Sequence, residues 1–585
     1  TDAIGAGFNP HLGADQGTVT TAIAAMTLPS PFVPVQTPGG VQWQPNATLI
    51  SSAEVTAREP FTVTYRIVND AQWSDGLPVT GDDFGYLWQQ MSRQPNVVGP
   101  AGYRAVQDVQ TSGGGKVVKV VFASQYPAWR ELFTNLLPSH KLRGDPSGFQ
   151  TGMDRGKPVA AGPFSIYSID RSRDEVRLIR NDRYWSTPPA LDQVVLRRAG
   201  TPPQMAQTVR NGDTGIVALS TGPASAAEIS AIPGIRSNRA PAVRAMTINL
   251  NTRADVMRNV AVRQAVFGMI DGDVVTAAAA GDDVVTRFAN TVYMPSDEDY
   301  FPVGRSRPSA DQVTAWLASA GYTRGEPRAR TPAAGSTPAA GSTPATGSTP
   351  ATTTAEVPGV SELPYGVPPL IKGGAPLVVR IGATDTDQRT LSAAESVADQ
   401  LRGQGVRAQV TAMTNTELYG QALTAASVDL IVGWTSAGID PATALASQVG
   451  CLPPPQGTES GAHTVEPERD PAINQSVLPT PTRTAGSAAS STQKPANPTP
   501  DTSYIGNISG LCDAQLQQLA GQAMTEENAV RTLTTAEPLL AERAVYLPLF
   551  QDTIFVGVTG DVDGVPLSGP VQVAIFGDAA RWRQS

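Results

Sequence analysis

At 585 residues the chain is longer than one hydrophobic core supports, so two or three lobes are expected. Hydrophobic residues make up 40 %, enough for burial, and no stretch approaches the roughly 18 unbroken apolar residues of a membrane span, which predicts a body that stays in water. A formal charge of -9 with no basic run removes the counterion release that drives nucleic-acid binding, so DNA and RNA are excluded as partners.

The first strong element is FTVTYRI at 61–67, whose alternation puts Phe61, Val63, Tyr65 and Ile67 on one face and Thr62, Thr64 and Arg66 on the other, the pattern of a half-buried strand. In the segment that follows, Asp75-Gly76 supplies a turn, Thr80 can cap a helix opening near Gly81, and Asp82 and Asp83 sit at the positive end of that helix. Residues 108–122 read as a hairpin turning on their glycines. Residues 331–354 are four six-residue units of Pro, Thr, Ser, Ala and Gly with nothing large to bury. The same poverty runs from about 324 to 376 and predicts an insertion without fixed shape. Segments 377–383, 389–405, 406–412 and 428–434 then alternate strand, helix, strand and strand, which predicts a mainly parallel sheet with a ligand crevice beyond its strand ends. A second tract without apolar periodicity covers 453–503.

Cys451 and Cys512 stand at the two ends of this second tract. In an oxidising compartment a disulfide there ties the insertion off at its base, and the alternative is a pair of unbonded buried thiols. Two cysteines and three histidines are too few for a Cys/His metal site, and the chain has no Gly-x-Ser-x-Gly elbow or phosphate-binding loop. The expectation is a protein with no catalytic residues, no metal and no cofactor.

Taken in order, the segments 61–88, 159–197, 246–281, 311–323 and 540–558 resemble the extracellular solute-binding proteins of the dipeptide, oligopeptide and nickel class. They hold an aromatic-Ser-Asp-Gly turn, Asn181 with Tyr184-Trp185, an Asn-rich crossover strand, a Leu-x-x-Ala-Gly-Tyr helix end and a helix-to-strand return with Pro548 and Phe550. The resemblance implies a two-lobed α/β fold of the type II, peptide-binding class of periplasmic binding proteins. Its first lobe would span 1–245, with an extra subdomain at about 31–158, and be completed by 540–585. The second lobe would span 246–539, with the tracts at 324–376 and 453–503 as insertions. It further implies that Trp73, Asp75, Asn181, Tyr184 and Trp185 are structural, and that Asn249, Asn251 and Arg253 lie near the hinge, where a cleft role and a structural role both fit.

The resemblance also implies a departure. In peptide-binding members a strand ending in Gly-Trp leads to an Asp that holds the peptide's ammonium group, followed by an aromatic; here Trp434, Thr435 and Ser436 lead to Ala437 and Gly438. Asp440-Pro441 starts the next helix. A buried ammonium without an acceptor is severely penalised, whereas Trp434 with the hydroxyls of Thr435 and Ser436 suits a polyol or a glycolipid headgroup, unless Trp434 merely packs at the strand end. Similarity to mycobacterial lipoproteins with Pro/Thr-rich insertions implies a protein of the cell envelope, held by an N-terminal lipid anchor outside this sequence. It would support phosphatidylinositol mannoside and lipoarabinomannan synthesis with a membrane biosynthetic enzyme as partner. The alternative is the substrate-binding receptor of an ABC permease for peptides or another small solute.

Overall fold

The segment Phe61–Ile67 is the second strand of a four-stranded antiparallel sheet ordered Ile50–Arg58, Phe61–Ile67, Val117–Phe122, Val106–Ser112. The computed structural model describes residues 1–5, 7–154, 158–304, 306–327, 362–451 and 506–584. The expected hairpin at 108–122 is present as the last two of these strands. Thr62 and Thr64, expected on a wet face, are buried, and Thr64 shares a 2.8 Å hydroxyl contact with Thr56. An interior strand of a covered sheet has no solvent side, and threonine tolerates this because its hydroxyl can be paired.

Thr80 caps the helix Gly81–Arg93 in a reciprocal capping box with Asp83, as the Thr-x-x-Asp spacing predicts. Asp83 is buried, and it also accepts the Trp73 indole N–H at 3.2 Å and both the amide and hydroxyl of Ser139. Asp75 meets His140 and Lys141 at 2.9 and 3.1 Å. These residues are thus structural. The sheet, the hairpin Phe32–Thr37/Gly40–Pro45 and the three-stranded sheet Phe164–Asp170, Glu175–Arg180, Gln193–Arg197 enclose one core, that of the first lobe, which residues 554–582 complete.

The second lobe has its own core around a larger sheet. Strand Val378–Thr384 pairs in parallel with Arg407–Met413 and Leu430–Ser436, and helix Gln388–Gly403 links the first two, as the alternating pattern requires. The sheet is nevertheless mixed, not mainly parallel. Leu430–Ser436 pairs antiparallel with Arg236–Leu250, which pairs antiparallel with Tyr546–Val558 along most of its length. These two long strands come from distant parts of the chain, so local periodicity carries no trace of their direction. They run through both lobes, and their pairing is broken between Pro241 and Ala245. Helices Pro441–Val449, Ala514–Ala523 and Val530–Glu542 form a satellite core.

Of the expected insertion at 324–376, residues 328–361 lie outside the described residues, but Thr323–Arg324 pairs with Leu370–Lys372 and that strand with Ala375–Pro376. The tract is therefore shorter than composition suggested, because Leu370 is buried in the second core. The tract at 453–503 lies wholly outside the described residues. Cys451 and Cys512 are joined as a disulfide, with Cα atoms 5.6 Å apart and a sequence separation of 61. Loop-closure entropy for a span of that length predicts that Cys451→Ser with Cys512→Ser lowers unfolding free energy by up to about 4 kcal/mol, read as a fall in the denaturant midpoint that reductant reproduces in the wild type.

Candidate functional site

The break in the crossover pairing places Arg244 beside Asp552 of the partner strand, where its Nε donates at 2.9 Å. Arg389, in the first turn of helix Gln388–Gly403, donates two further bonds of 2.9 Å to the same carboxylate, which is 1 % exposed. Both guanidinium groups lie over the ring of Trp434, at 4.1 and 5.1 Å from its centroid, and Phe550 meets it edge-on. The Trp434 indole N–H donates to Asp387, the cap of that helix. Burial works against the Arg244 charge, yet Asp552 and Asp387 hold its pKa above the ordinary guanidinium value.

Trp434 lies two residues before the end of strand Leu430–Ser436, from which Ser436–Ile439 runs between the lobes, and two chambers lie against that run. The larger, about 770 Å³, is walled on the first-lobe side by His11, Trp43, Asn46, Tyr126, Glu131, Tyr184, Trp185 and Gln572, and on the other by Ser436–Ile439 and Thr443. The smaller, about 410 Å³, lies between Pro95–Pro100 and a second-lobe wall that includes Trp434, Thr435 and Ser436. Both volumes fall in the range of small-molecule sites. Gly438 sits at φ +79°, and a Cβ there would be 3.0 Å from the Gln572 amide, so the aromatic of peptide-binding relatives has no room.

The lobes touch through specific bonds beside the chambers. Glu131 accepts the Asp440 amide N–H at 3.0 Å, the Tyr126 hydroxyl meets that of Thr443 at 2.8 Å, and Ala101 N–H donates to Ser447 at 3.2 Å. Burial, with the nearby Asp440 carboxylate, pushes Glu131 up to about 8, against the hydrogen bonds it receives from Asp440 and Trp43. Burial likewise raises Asp297, in the smaller chamber's wall, to about 7. His11 is lowered to about 4 by burial and spends its Nε2 on the Asn135 carbonyl at 2.9 Å. The Gln572 amide nitrogen donates to the Gly438 carbonyl at 2.6 Å, which fixes its oxygen on the other side, where that oxygen is buried without a partner among the described residues.

The structure brings Trp434, Thr435, Ser436 and Arg253 together around the smaller chamber and puts Ser436 and Ala437 in the wall of the larger. Asn249 and Asn251 line neither. Asn249 bonds Thr247 on its own strand, and Asn251 donates to the carbonyls of Leu423 and Val428, so both amides are spent within the fold. The expected stacking face of Trp434 is also corrected, since two arginines cover the ring and leave it 9 % exposed. Asp440 caps helix Pro441–Val449 as expected. Tyr184 and Trp185 serve both structure and cavity: the Trp185 N–H holds the Thr48 carbonyl at 2.6 Å while both residues line the larger chamber. Glu131, Trp43 and Gln572 were not visible in the sequence. The one signal for Glu131 is a lone carboxylate followed by Leu132 and Phe133.

The model of the bacterial extracellular solute-binding proteins, family 5 Middle, matches residues 44–453. The chain is 39 % identical to the probable monoacyl phosphatidylinositol tetramannoside-binding protein LpqW of Mycobacterium tuberculosis strain H37Rv, over 99 % of this chain and 90 % of the relative. Among solved structures, the oligopeptide-binding protein AppA from Bacillus subtilis, in complex with a nonapeptide, gives a TM-score of 0.66 at 14 % identity and covers 100 % of this chain and 98 % of its own. The periplasmic EDTA-binding protein EppA gives 0.63 at 19 % identity, covering 99 % and 95 %. Likeness at that identity establishes the two-lobed fold. Among the described residues no helix is long and apolar enough to cross a membrane.

Glu131 is a group whose folded pKa is raised, so the stability it contributes is present below the unfolded value of 4.5 and is lost as pH rises towards about 8. Glu131→Gln removes that slope. The melting temperature of the variant, relative to wild type, is expected to climb between about pH 5 and 8, and a difference that does not change with pH would mark Glu131 as an ordinary solvated acid.

Proposed function

The chain belongs to the bacterial extracellular solute-binding proteins, family 5, and on that footing we propose that it is a non-enzymatic cell-envelope protein that holds a hydroxyl-rich headgroup of the phosphatidylinositol mannoside class in its larger chamber. In this reading it supports phosphatidylinositol mannoside and lipoarabinomannan synthesis beside a membrane biosynthetic enzyme, held to the outer face of the plasma membrane by a lipid anchor that precedes Thr1. The name of the relative LpqW, a probable monoacyl phosphatidylinositol tetramannoside-binding protein, supports the ligand class.

The observation that carries the reading is the wall at Ala437–Gly438. Where the resemblance to peptide-binding members implies a carboxylate this chain has a methyl group, and Gln572 lines the same wall. A wall without that carboxylate leaves a buried ammonium uncompensated, whereas a neutral hydroxyl carries no charge that must be paired. Trp43 and Tyr184 add aromatic surface of the kind on which sugar rings lie.

One observation favours the second reading, an importer's receptor for peptides or another small solute. Glu131 is a carboxyl in the same wall and could meet an ammonium. It would first have to lose the proton that burial holds on it, so a cationic ligand taken by Glu131 releases protons on binding.

The two readings separate in one measurement on the full chain. Deacylated phosphatidylinositol mannoside is expected to raise the melting temperature, with about 2.7 kcal/mol of stabilisation at a hundredfold excess over Kd, without buffer-dependent proton release. Mixed tripeptides at millimolar concentration are expected to leave it unchanged. A tripeptide shift accompanied by proton release, and absent in Glu131→Gln, overturns the glycolipid reading in favour of the receptor.

A further inference from the structure

The smaller chamber has a different chemistry from the larger one and shares a wall with it. Val98, Gly99, Ser436, Gly438 and Ile439 border both. The smaller chamber is lined by Val97 and Pro100 from the first lobe against Val292, Met294, Leu423 and Ile439 from the second. Among the polar groups in these walls Arg253 and Asp297 are committed to the protein, whereas the Gln448 side-chain oxygen is buried without a partner among the described residues. Arg253 donates to the carbonyls of Ile508 and Asn507 at 2.9 Å and to the Asn251 side chain at 3.1 Å. Asp297 accepts the Met294 N–H at 2.7 Å, and burial keeps its carboxyl from ionising readily. A cavity walled in this way offers water few partners and is best filled by an apolar group.

We propose that the smaller chamber takes the hydrocarbon tail of an amphipathic ligand whose polar part occupies the larger chamber. The proposal rests on the reading of the larger chamber as a headgroup site and adds the class of the remaining part of the ligand. The shared wall makes the two chambers neighbours, so one molecule can span them. Both chambers are bounded by both lobes, so a tail seated there contacts each lobe and favours their closed arrangement. Burial of methylenes between the lobes then adds to affinity in proportion to chain length.

Chain length is therefore the variable to test. Methyl, octyl and dodecyl mannosides, each below its micelle concentration, serve as probes on the full chain by calorimetry, with deacylated phosphatidylinositol mannoside as the polar probe. Affinity is expected to climb along the alkyl series by up to about fourfold per methylene. Ala444, half-buried in helix Pro441–Val449, lines only the smaller chamber. Ala444→Trp is expected to flatten the climb and leave binding of the polar probe unchanged. Thr424→Trp, introduced from an exposed position on the same wall, should do likewise if the first variant fails to fold. If the polar probe does not bind while the alkyl series still climbs and both variants flatten it, the headgroup reading falls and the tail chamber stands. Equal affinities along the series, or a climb that survives both variants, overturn the chamber.

Discussion

The cleft is organised around one buried carboxylate. Asp552 is removed from water, and an ionised carboxylate in that position is tolerable only if its oxygens are filled by charged donors. Arg244 and Arg389 provide three bonds of 2.9 Å, of the short, charge-assisted kind. The net contribution of such a cluster to stability is small, but removing one member leaves the others stranded at a cost of about 3–5 kcal/mol. The cluster therefore acts as a positional constraint. Asp552 and Arg244 sit on the two strands that run through both lobes, and Arg389 opens the main helix of the second lobe, which its Nε also ties to Ala279. The irregular stretch 242–244, where the lobes join, is thereby fixed to the second sheet.

Trp434 transmits that constraint to the ligand chambers. Its ring is held by the two arginines and by Phe550, and its indole by Asp387, so the end of its strand is fixed. The run Ser436–Ile439 starts from this fixed point and separates the chambers, and the positive φ of Gly438 lets it turn beneath Gln572. The residue that resembles a ligand contact in the sequence is thus the support of the contact surface. That arrangement, with the Asp552 cluster buried behind the wall, is how a site stays rigid while its lining meets the ligand.

Much of the fold was legible because it is local. The Thr80–Asp83 capping box, the strand–helix–strand rhythm after 377 and the pairing of Cys451 with Cys512 each follow from spacings of a few residues or from two cysteines at the ends of one tract. The direction of the central sheet was not legible, because Arg236–Leu250 and Tyr546–Val558 are about three hundred residues apart in the chain. The same reason hid Glu131, Trp43 and Gln572. None belongs to a motif, and they come from distant parts of the chain that meet only in the fold of the first lobe. Asn249 and Asn251 misled for the opposite reason. An asparagine-rich strand near a hinge reads as polar surface, whereas the Asn249 amide is taken by the Thr247 hydroxyl and that of Asn251 by backbone carbonyls within the fold.

The loss of charge at Ala437 and the state of Glu131 are two sides of one adjustment. A carboxylate at 437 would stand in the chamber wall that Glu131 also lines, and like charges in a desolvated site cannot all ionise. With a methyl group at 437, Glu131 can remain protonated and receive the Asp440 and Trp43 N–H groups, joining the lobes without an ion pair that a ligand must complete. A receptor for free amines needs the opposite arrangement, an ionised acceptor left unpaired until the ligand arrives. Here the wall residue Gln572 is neutral, and a hydroxyl group suits such a lining better than a charge. Selectivity in such a wall comes from hydrogen-bond geometry and from apolar contact, and a ligand carrying both kinds of group uses the cleft more fully than a charged one.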